Sequence, residues 1–450
     1  MKYLTPLATA SFLPIVLLTL FLTFRRDSNF PFNNGVSPIV IAIYTLLSVV
    51  FLYGVVIWYF KGTSRPQSIS PKVLTTLLVT LFSVSIVLGL VLMRLTSTYF
   101  PGINTWNDWV MLGVGLVSLL VFSIALFSRK PKLILGSLAV STILISLLPI
   151  IYFPITAKIS DLLPAILKQI ESFIQGQSIY QVYLLDNGVW QAAVRQPLSA
   201  LSFLPAYLLN IDIRFMSLLF HLGVAAVLFK GIYPNTNSLK LDSKFLFTCI
   251  LLVAWLLFPY RLLRHDLYEP SYWFVLALSL LLLVRNYRKW WMITWGIGIA
   301  TQVWSWVFTP FLGIYLIKKW GSKTAATYLL GAVAIGGVLI ALFALPNFSG
   351  YMHNVFGIYG NASSYDQVAG VYPMYLTPIL NLLGLTRFAI PLLVASCAAV
   401  FLLFIRKPIT FPRTLMYMCL LLLTFCMFNR VSWNYMYINL VVLMLARELE

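Results

Sequence analysis

The stretch LTTLLVTLFSVSIVLGLVLM, residues 74–93, contains twenty consecutive residues without a charged side chain. A helix of that length rises about 30 Å, which matches the hydrocarbon layer of a bilayer. Similar runs recur along the chain: of its 450 residues, 60% are hydrophobic and 10% charged, and mean hydropathy is +0.91. A soluble chain of this length cannot bury so much apolar surface. The composition therefore excludes a soluble globular enzyme and predicts an integral membrane protein.

The apolar runs predict an all-α, polytopic bundle of about 12–14 transmembrane helices, because a helix satisfies its own backbone hydrogen bonds in lipid. The predicted spans are 5–24, 38–60, 74–96, 109–128, 133–153, 213–229, 245–260, 272–284, 291–303, 304–317, 325–345, 388–405, 414–428 and 435–446. Two short apolar stretches that follow prolines, 197–210 and 374–385, are expected to lie along the outer interface or dip back. The run 291–317 is expected to break, in the region from Gln302 to Pro310, into two half-spans.

Basic residues are clustered in the connections and predict the orientation. Six connections carry three Lys or Arg each, and all fall on one side: Lys61/Arg65/Lys72, Arg129/Lys130/Lys132, Lys230/Lys240/Lys244, Arg285/Arg288/Lys289, Lys318/Lys319/Lys323 and Arg406/Lys407/Arg413. Such an excess marks the cytoplasmic side, so the net charge of +19 indicates topology and not nucleic-acid binding. Two long connections, 154–212 and 346–387, then lie outside, and loops this long are uncommon without a function.

The first outer connection carries an ordered series of polar residues. Ser160-Asp161-Leu162 follows the fifth predicted span, and an amphipathic segment covers 162–174. Gly176 to Tyr180 comes next, and Arg195-Gln196-Pro197-Leu198 opens the following apolar stretch. A carboxylate at the membrane boundary is often only a solvated helix end. Asp161 therefore has a structural interpretation beside a catalytic one.

Some basic residues fall on the predicted outer face, where the positive-inside rule disfavours them. Arg264 and His265 follow the seventh predicted span, and Arg430 stands beside Trp433 before the last one. An anionic ligand such as a lipid phosphate would explain these cations. Local pairing with acids and the interfacial preference of tryptophan are the alternatives. His353, in the second outer connection, is among side chains suited to sugar binding.

These motifs resemble the GT-C superfamily of membrane glycosyltransferases over roughly residues 133–450. The similarity is greatest to the polyprenol-phosphate-mannose-dependent mannosyltransferases (family 87-like). It implies transfer of a hexose, such as mannose, from a polyprenyl-phosphate donor to an acceptor hydroxyl outside the cytoplasm. It implies Asp161 as the general base, and one base without a carboxylate nucleophile implies inversion. The implied donor-phosphate-binding residues are Arg264, His265 and Arg430, and the implied substrate-binding residues are Tyr180, Arg195, Trp433 and His353.

The resemblance also divides the chain. Residues 1–132 would be N-terminal transmembrane helices extra to the core, and 133–450 the catalytic core with interfacial helices in its first outer loop. The expected partners are the polyprenyl-phosphate sugar donor, a glycan or glycolipid acceptor and membrane lipid, with no nucleic acid. No cofactor is expected, although a divalent metal held by Asp161 with Asp186 or Glu269 stays open. The expected location is a bacterial inner membrane, with the endoplasmic reticulum membrane as the alternative.

Two other classes of protein fit part of the pattern. A transporter or flippase of a lipid-linked or anionic substrate would also use broken helices and outer-face arginines. A coupled transporter usually needs an ionisable residue at mid-span, and the predicted spans carry no acid there. His221, inside a span, is interpreted as a hydrogen-bonded core residue, and the four cysteines as core residues. A polymerase or ligase for surface polysaccharide is the third class.

Overall fold

The computed structural model describes residues 70–99, 107–157, 162–188, 190–236, 239–258, 270–357, 380, 384–428 and 439–450, with parts of 50–60. The helices are α1 Pro71–Tyr99, α2 Asp108–Phe127, α3 Pro131–Tyr152, α4 Leu162–Ile174, α5 Pro197–Leu201, α6 Leu204–Leu208, α7 Arg214–Ile232, α8 Ser243–Leu256, α9 Pro270–Val284, α10 Arg288–Thr301, α11 Trp304–Trp320, α12 Ser322–Ala344, α13 Phe348–Met352, α14 Ala389–Ile405, α15 Phe411–Phe428 and α16 Leu440–Arg447. Strands β1 Val182–Leu184 and β2 Trp190–Ala192 form an antiparallel hairpin.

The described helices confirm the predicted all-α membrane bundle. Six helical segments are long and apolar enough to cross a bilayer: 71–94, 108–127, 131–152, 214–232, 322–357 and 411–428. Helices α8, α9 and α14 are apolar but shorter. Each predicted span from 74–96 onward coincides with a described helix, with ends that differ by a few residues. The predicted span 5–24 and most of 38–60 lie outside the described residues.

The predicted break in the run 291–317 occurs at Gln302. Helix α10 ends at Thr301, Gln302 is extended, and α11 begins at Trp304. The Oε1 atom of Gln302 accepts a hydrogen bond from the Val303 amide at 2.7 Å, which satisfies a donor released by the break. Pro310 lies within α11 and not at the break. A polar backbone at this depth needs such local partners.

The apolar stretch 197–210 is not a crossing helix. It forms α5 and α6, each five residues long and each with a proline in its first turn. A five-residue helix rises only about 7.5 Å. Helix α4 confirms the predicted amphipathic segment, and its buried side packs on these two helices through Leu163, Ile166 and Ile170 against Ala200, Phe203, Ala206 and Ile213. The apolar side of α4 is therefore covered at least in part by protein. The stretch 374–385 lies largely outside the described residues.

Helices α10 and α12 cross at backbone contact. A Cβ atom added to Gly296 would lie 2.8 Å from the Ala332 carbonyl oxygen. One added to Gly336 would lie 2.9 Å from the Gly296 carbonyl oxygen. Small residues allow membrane helices to approach this closely and to pack by dispersion. The crossing fixes the half-span α10 against the long helix α12.

Four of the six predicted basic connections meet at one end of the bundle. The Arg285 guanidinium donates to the Gly231 carbonyl at 3.1 Å, which joins the ends of α7 and α9. Lys319 Nζ donates to the Leu283 carbonyl at 2.9 Å, and Lys318 Nζ donates to the Ile409 carbonyl at 2.8 Å. These contacts link the connections after α7, α9, α11 and α14. The positive-inside rule then assigns this end to the cytoplasm.

We expect a membrane-impermeant maleimide to label Gln177→Cys from the outer side and Lys323→Cys from the cytoplasmic side. Both positions are exposed, and three of the four native cysteines are buried. The variants are compared in sealed right-side-out and inverted vesicles, with the parent chain as the background control. Labelling of Gln177→Cys only from the cytoplasmic side would contradict the orientation and every site assignment that depends on it.

Candidate functional site

The structure describes three of the eight predicted site residues: Tyr180, Arg195 and His353. The other five lie outside the described residues: Asp161, Arg264, His265, Arg430 and Trp433. The contacts of the outer end are therefore those of the described segments before and after these positions. Two of its anchors, Asp186 and Arg214, hold the chain that leads to positions 158–161.

Asp186 lies in the turn of the β1–β2 hairpin and holds the segment that follows α3. Its Oδ1 atom accepts a hydrogen bond from the Ala157 amide at 2.8 Å, and its Oδ2 atom accepts one from the Thr156 hydroxyl. The next residue, Asn187, donates through Nδ2 to the Ala157 carbonyl at 3.2 Å. Gly188 completes the turn with φ of 77°, a conformation that favours glycine. The hairpin thus fixes residues 156–157, four positions before Asp161.

Arg214, at the start of α7, caps the outer end of α3. Its Nη1 atom donates to the carbonyls of Pro149 at 2.8 Å and Phe153 at 2.7 Å, and its Nη2 atom donates to that of Ile150 at 2.9 Å. The last carbonyls of a helix have few donor partners within the helix, and the buried guanidinium donates hydrogen bonds to them. Asp212 completes the cluster, with Oδ2 2.6 Å from Arg214 Nη2 and Oδ1 3.0 Å from Nε.

Sequence reasoning missed Arg214, although a signal was present. It is an arginine at the outer end of a predicted span, which is the same anomaly that drew attention to Arg264. Its side chain is buried beside a carboxylate two residues earlier, so it neutralises Asp212 locally. Arg214 shows that an outer-face arginine in this chain can have a purely structural role.

The second outer connection begins on an extension of α12. The helical run Ser322–Gly357 has 36 residues, more than the ~20 that cross the hydrocarbon layer, and it is interrupted at Asn347, which caps α13 with φ of −147° and ψ of 68°. On its outer part, Asn347 Nδ2 donates to the Tyr180 carbonyl at 2.8 Å and Asn354 Nδ2 donates to the Gln181 carbonyl at 3.3 Å. Both asparagine side chains therefore face the first outer connection. Between them, a Cβ atom on Gly350 would lie 2.6 Å from the Tyr180 carbonyl oxygen.

We call this contact the outer joint, formed by Tyr180, Gln181 and Gln196 of the first connection with Asn347, Gly350, Tyr351 and Asn354 of the helix extension. The rings of Tyr180 and Tyr351 meet edge to face, with centroids 4.9 Å apart. The Tyr351 hydroxyl donates to Gln196 Oε1 at 3.3 Å. Tyr180 and Gln196 are buried, with 1% and 0% exposure.

Two polar atoms in the outer joint, the Tyr180 hydroxyl and Gln196 Nε2, have no hydrogen-bond partner among the described residues. Burial raises the pKa of Tyr180, because a phenolate would be poorly solvated there, so the hydroxyl keeps its proton. Tyr180 is therefore a neutral donor and acceptor inside the protein. The resemblance to the GT-C superfamily implies Tyr180 as substrate-binding, and its burial was not predicted.

The structure brings the other described site residues into neighbouring elements. Arg195 precedes Gln196 of the outer joint, and its side chain is half-buried. His353 is exposed and begins the π-helical turn His353–Gly357, two residues after Tyr351. The described parts of the two connections thus meet at the end opposite the basic connections. Gln196 belongs to the series Arg195-Gln196-Pro197-Leu198 but was not predicted as a site residue, and neither were Asn347 and Tyr351. The partner of each lies far along the chain.

The interior of the bundle agrees with the core interpretations. His221 is fully buried and its Nδ1 atom lies 2.8 Å from the Ser217 carbonyl oxygen. Trp255 Nε1 donates to the His221 carbonyl at 3.2 Å. Cys249, Cys419 and Cys426 are buried and Cys397 is half-buried, all without a disulfide. In the described part of the chain, no three His, Cys, Asp or Glu side chains come together as a metal site.

No protein-family model matches this chain, and no curated protein or solved structure matches it either. The class of protein is therefore defined by fold and outer end alone. It is a polytopic, all-α membrane protein. Its two long connections, 154–212 and 346–387, contact each other through the outer joint.

Proposed function

We propose that this protein is a GT-C-like membrane glycosyltransferase. It transfers a hexose, such as mannose, from a polyprenyl-phosphate donor to an acceptor hydroxyl on the extracytoplasmic side. Residues 133–450 form its catalytic core, and Asp161 is its general base. The membrane is a bacterial inner membrane, with the endoplasmic reticulum as the alternative.

The anchoring of the segment before Asp161 is the observation that carries this proposal. Arg214 holds the carbonyls at 149–153, and Asp186 holds the backbone at 157. Helix α4 begins directly after Asp161, at Leu162, and packs on α5 and α6. A catalytic base must be held within about 0.5 Å of its working position, whereas a solvated helix end has no such need. The two anchors support the catalytic interpretation.

The proposed reaction needs one base and one anion-binding group. A sugar hydroxyl is a weak nucleophile, so Asp161 takes its proton as the new C1–O bond forms and the C1–O bond to phosphate breaks. The leaving polyprenyl phosphate carries the negative charge away and is stabilised by Arg264, His265 and Arg430. A single displacement inverts the anomeric carbon. Tyr180, Arg195, Trp433 and His353 are proposed to contact the sugars.

The helix break at Gln302 favours one alternative, a transporter or flippase of a lipid-linked or anionic substrate. Broken helices often line substrate paths in transporters. Coupled transport also needs an ionisable group at mid-span. The described spans carry no acidic residue at their centres, and the ionisable His221 of α7 is bonded within its own helix, with Nδ1 2.8 Å from the Ser217 carbonyl oxygen. Both observations favour the transferase.

The direct test is incubation of the purified protein in lipid nanodiscs with a panel of polyprenyl-phosphate sugars and glycan acceptors. We expect one donor to be consumed, with equal amounts of polyprenyl phosphate and glycosylated acceptor. No donor consumed, together with passage of an intact lipid-linked substrate across proteoliposomes, would favour the transporter.

Arg264→Ala or Arg430→Ala should weaken donor binding about 10- to 100-fold, because a charge-assisted hydrogen bond contributes about 1.5–3 kcal/mol. Arg→Lys should recover only part of the loss if the contact is bidentate. Arg387→Ala is the matched control, since Arg387 is an exposed arginine of the same outer face whose guanidinium lies over the Phe388 ring. Donor KM is measured for all variants. An unchanged KM in the Arg264 and Arg430 variants would remove both from the site.

A further inference from the structure

The outer joint contains polar groups that packing alone does not explain. Tyr180 and Gln196 are almost completely buried, and the Tyr180 hydroxyl and Gln196 Nε2 lack partners among the described residues. A buried polar group without a partner destabilises the fold, and native proteins retain few of them. Phenylalanine in place of Tyr180 would keep the edge-to-face contact with Tyr351 and remove the buried hydroxyl that destabilises the fold. The retained hydroxyl therefore needs a ligand or another polar partner.

We propose that the outer joint is a binding site for a neutral, hydroxyl-bearing ligand of the saccharide class, with Tyr180 and Gln196 as its hydrogen-bonding groups. This inference deepens the proposed function and rests on it for the identity of the saccharide as a substrate. It adds Gln196 and Tyr351 to the residues suggested by the sequence.

The chemistry of the joint matches a sugar hydroxyl. Tyr180 can donate and accept a hydrogen bond, and Gln196 Nε2 can only donate. A sugar hydroxyl also donates and accepts, so the hydroxyls of one sugar can supply a partner for each atom. The edge-to-face rings of Tyr180 and Tyr351 supply the apolar wall that accompanies a few polar groups in small-molecule sites. Tyr180, Tyr351 and Gln196 are neutral groups, which suits hydrogen bonds to a sugar hydroxyl.

The ligand reaches these atoms only when the joint opens. Tyr180, Gln196 and Tyr351 are each less than 5% exposed. The closed form is held by the amide groups of Asn347 and Asn354 on two consecutive carbonyls of the first connection. Binding therefore requires residues 180–181 to separate from Asn347 and Asn354, so that the saccharide enters between the Tyr180 and Tyr351 rings.

The test uses binding of methyl α-mannoside and methyl α-glucoside, measured by saturation-transfer NMR titration in nanodiscs, without a sugar-headed detergent and without donor. Tyr180→Phe and Gln196→Leu should weaken binding about three- to ten-fold, the usual effect of one neutral hydrogen bond. Tyr183→Phe is the matched control, because the buried Tyr183 hydroxyl already donates to the Ile179 carbonyl at 2.9 Å. Its glycoside affinity should equal that of the parent chain.

Thermal unfolding separates a binding role from a structural one. Tyr180→Phe should melt no lower than the parent chain, because it removes a hydroxyl without a described partner, whereas Tyr183→Phe should melt lower. A stable Tyr180→Phe protein with reduced glycoside affinity supports the proposal. Equal affinity in Tyr180→Phe and the parent chain, or no binding of either glycoside where a millimolar Kd would be detected, overturns it.

The same experiment distinguishes this inference from the proposed function. Glu171→Gln should bind the glycosides like the parent chain, because Glu171 pairs with Lys168 in a partly exposed salt bridge and is not part of the outer joint. Glycoside binding that depends on Tyr180, without transfer from any polyprenyl-phosphate sugar, would contradict the transferase and support the site. Transfer without such dependence would support the transferase and overturn the site.

Discussion

Asp161→Asn is expected to lower turnover about 10²- to 10⁴-fold while donor affinity changes little. The amide has the size of the carboxylate but cannot accept a proton at neutral pH. Donor affinity is spared because the base acts on the acceptor hydroxyl and not on the phosphate. Asp161→Glu should also have low turnover, since one methylene displaces the carboxylate oxygen atoms by about 1 Å. Turnover is measured from initial rates in nanodiscs, and donor affinity from the donor KM.

Glu171→Gln is the control for the Asp161 variants. Glu171 is another outer-face acid, on α4, and pairs with Lys168 at 2.8 Å in a partly exposed salt bridge. Its neutralisation should leave turnover near normal, because exposed pairs contribute little. A solvated helix end at Asp161 predicts a stability loss of about 1 kcal/mol or less and near-normal turnover. A folded Asp161→Asn protein with more than about half the activity would contradict a role as base.

Arg214→Ala is expected to destabilise the protein by about 3–5 kcal/mol, the usual cost of removing one partner of a buried ion pair. The substitution leaves the Asp212 carboxylate without its guanidinium and removes the guanidinium donor from the Ile150 and Phe153 carbonyls, whereas Pro149 keeps the Phe153 amide. Arg214→Lys should recover part of the loss, because a single ammonium cannot match the guanidinium fork. Thermal or denaturant unfolding in nanodiscs measures the change.

Two variants provide controls for Arg214. Lys168→Ala removes a cation from a partly exposed pair on the same face and should cost less than about 1 kcal/mol. The double variant Asp212→Leu with Arg214→Met removes both charges and should be more stable than Arg214→Ala. Equal melting temperatures of Arg214→Ala and Lys168→Ala would show that the Arg214 cap on α3 does not stabilise the outer end.

The spans and their order were predictable because hydropathy is a property of each segment alone. A run such as 74–93 must be covered by lipid or protein wherever it lies, so its helix follows from composition. The break at Gln302 and the short helices after Pro197 also had local causes, a polar residue within an apolar run and a proline. The basic clusters predicted which connections meet at one end, and Arg285 with Lys319 confirms this.

The contacts of the outer end could not be predicted in the same way. Asn347 binds the Tyr180 carbonyl across 167 positions of sequence, and Arg214 binds Pro149 across 65. Such pairs depend on how helices pack, and no periodicity in either segment encodes them. Tyr180 illustrates the limit. The family resemblance implied contact with substrate, whereas its burial against Tyr351 depends on the extension of α12.

The sidedness of transfer tests the central claim most directly. The protein is reconstituted in one orientation in sealed proteoliposomes that contain a polyprenyl-phosphate sugar consumed in the nanodisc assay, with a membrane-impermeant acceptor on one side only. We predict glycosylated acceptor only when the acceptor shares the compartment of residues 154–212, and loss of the product in Asp161→Asn. Product formed only on the side of the basic connections, or equal product from Asp161→Asn, would contradict the account.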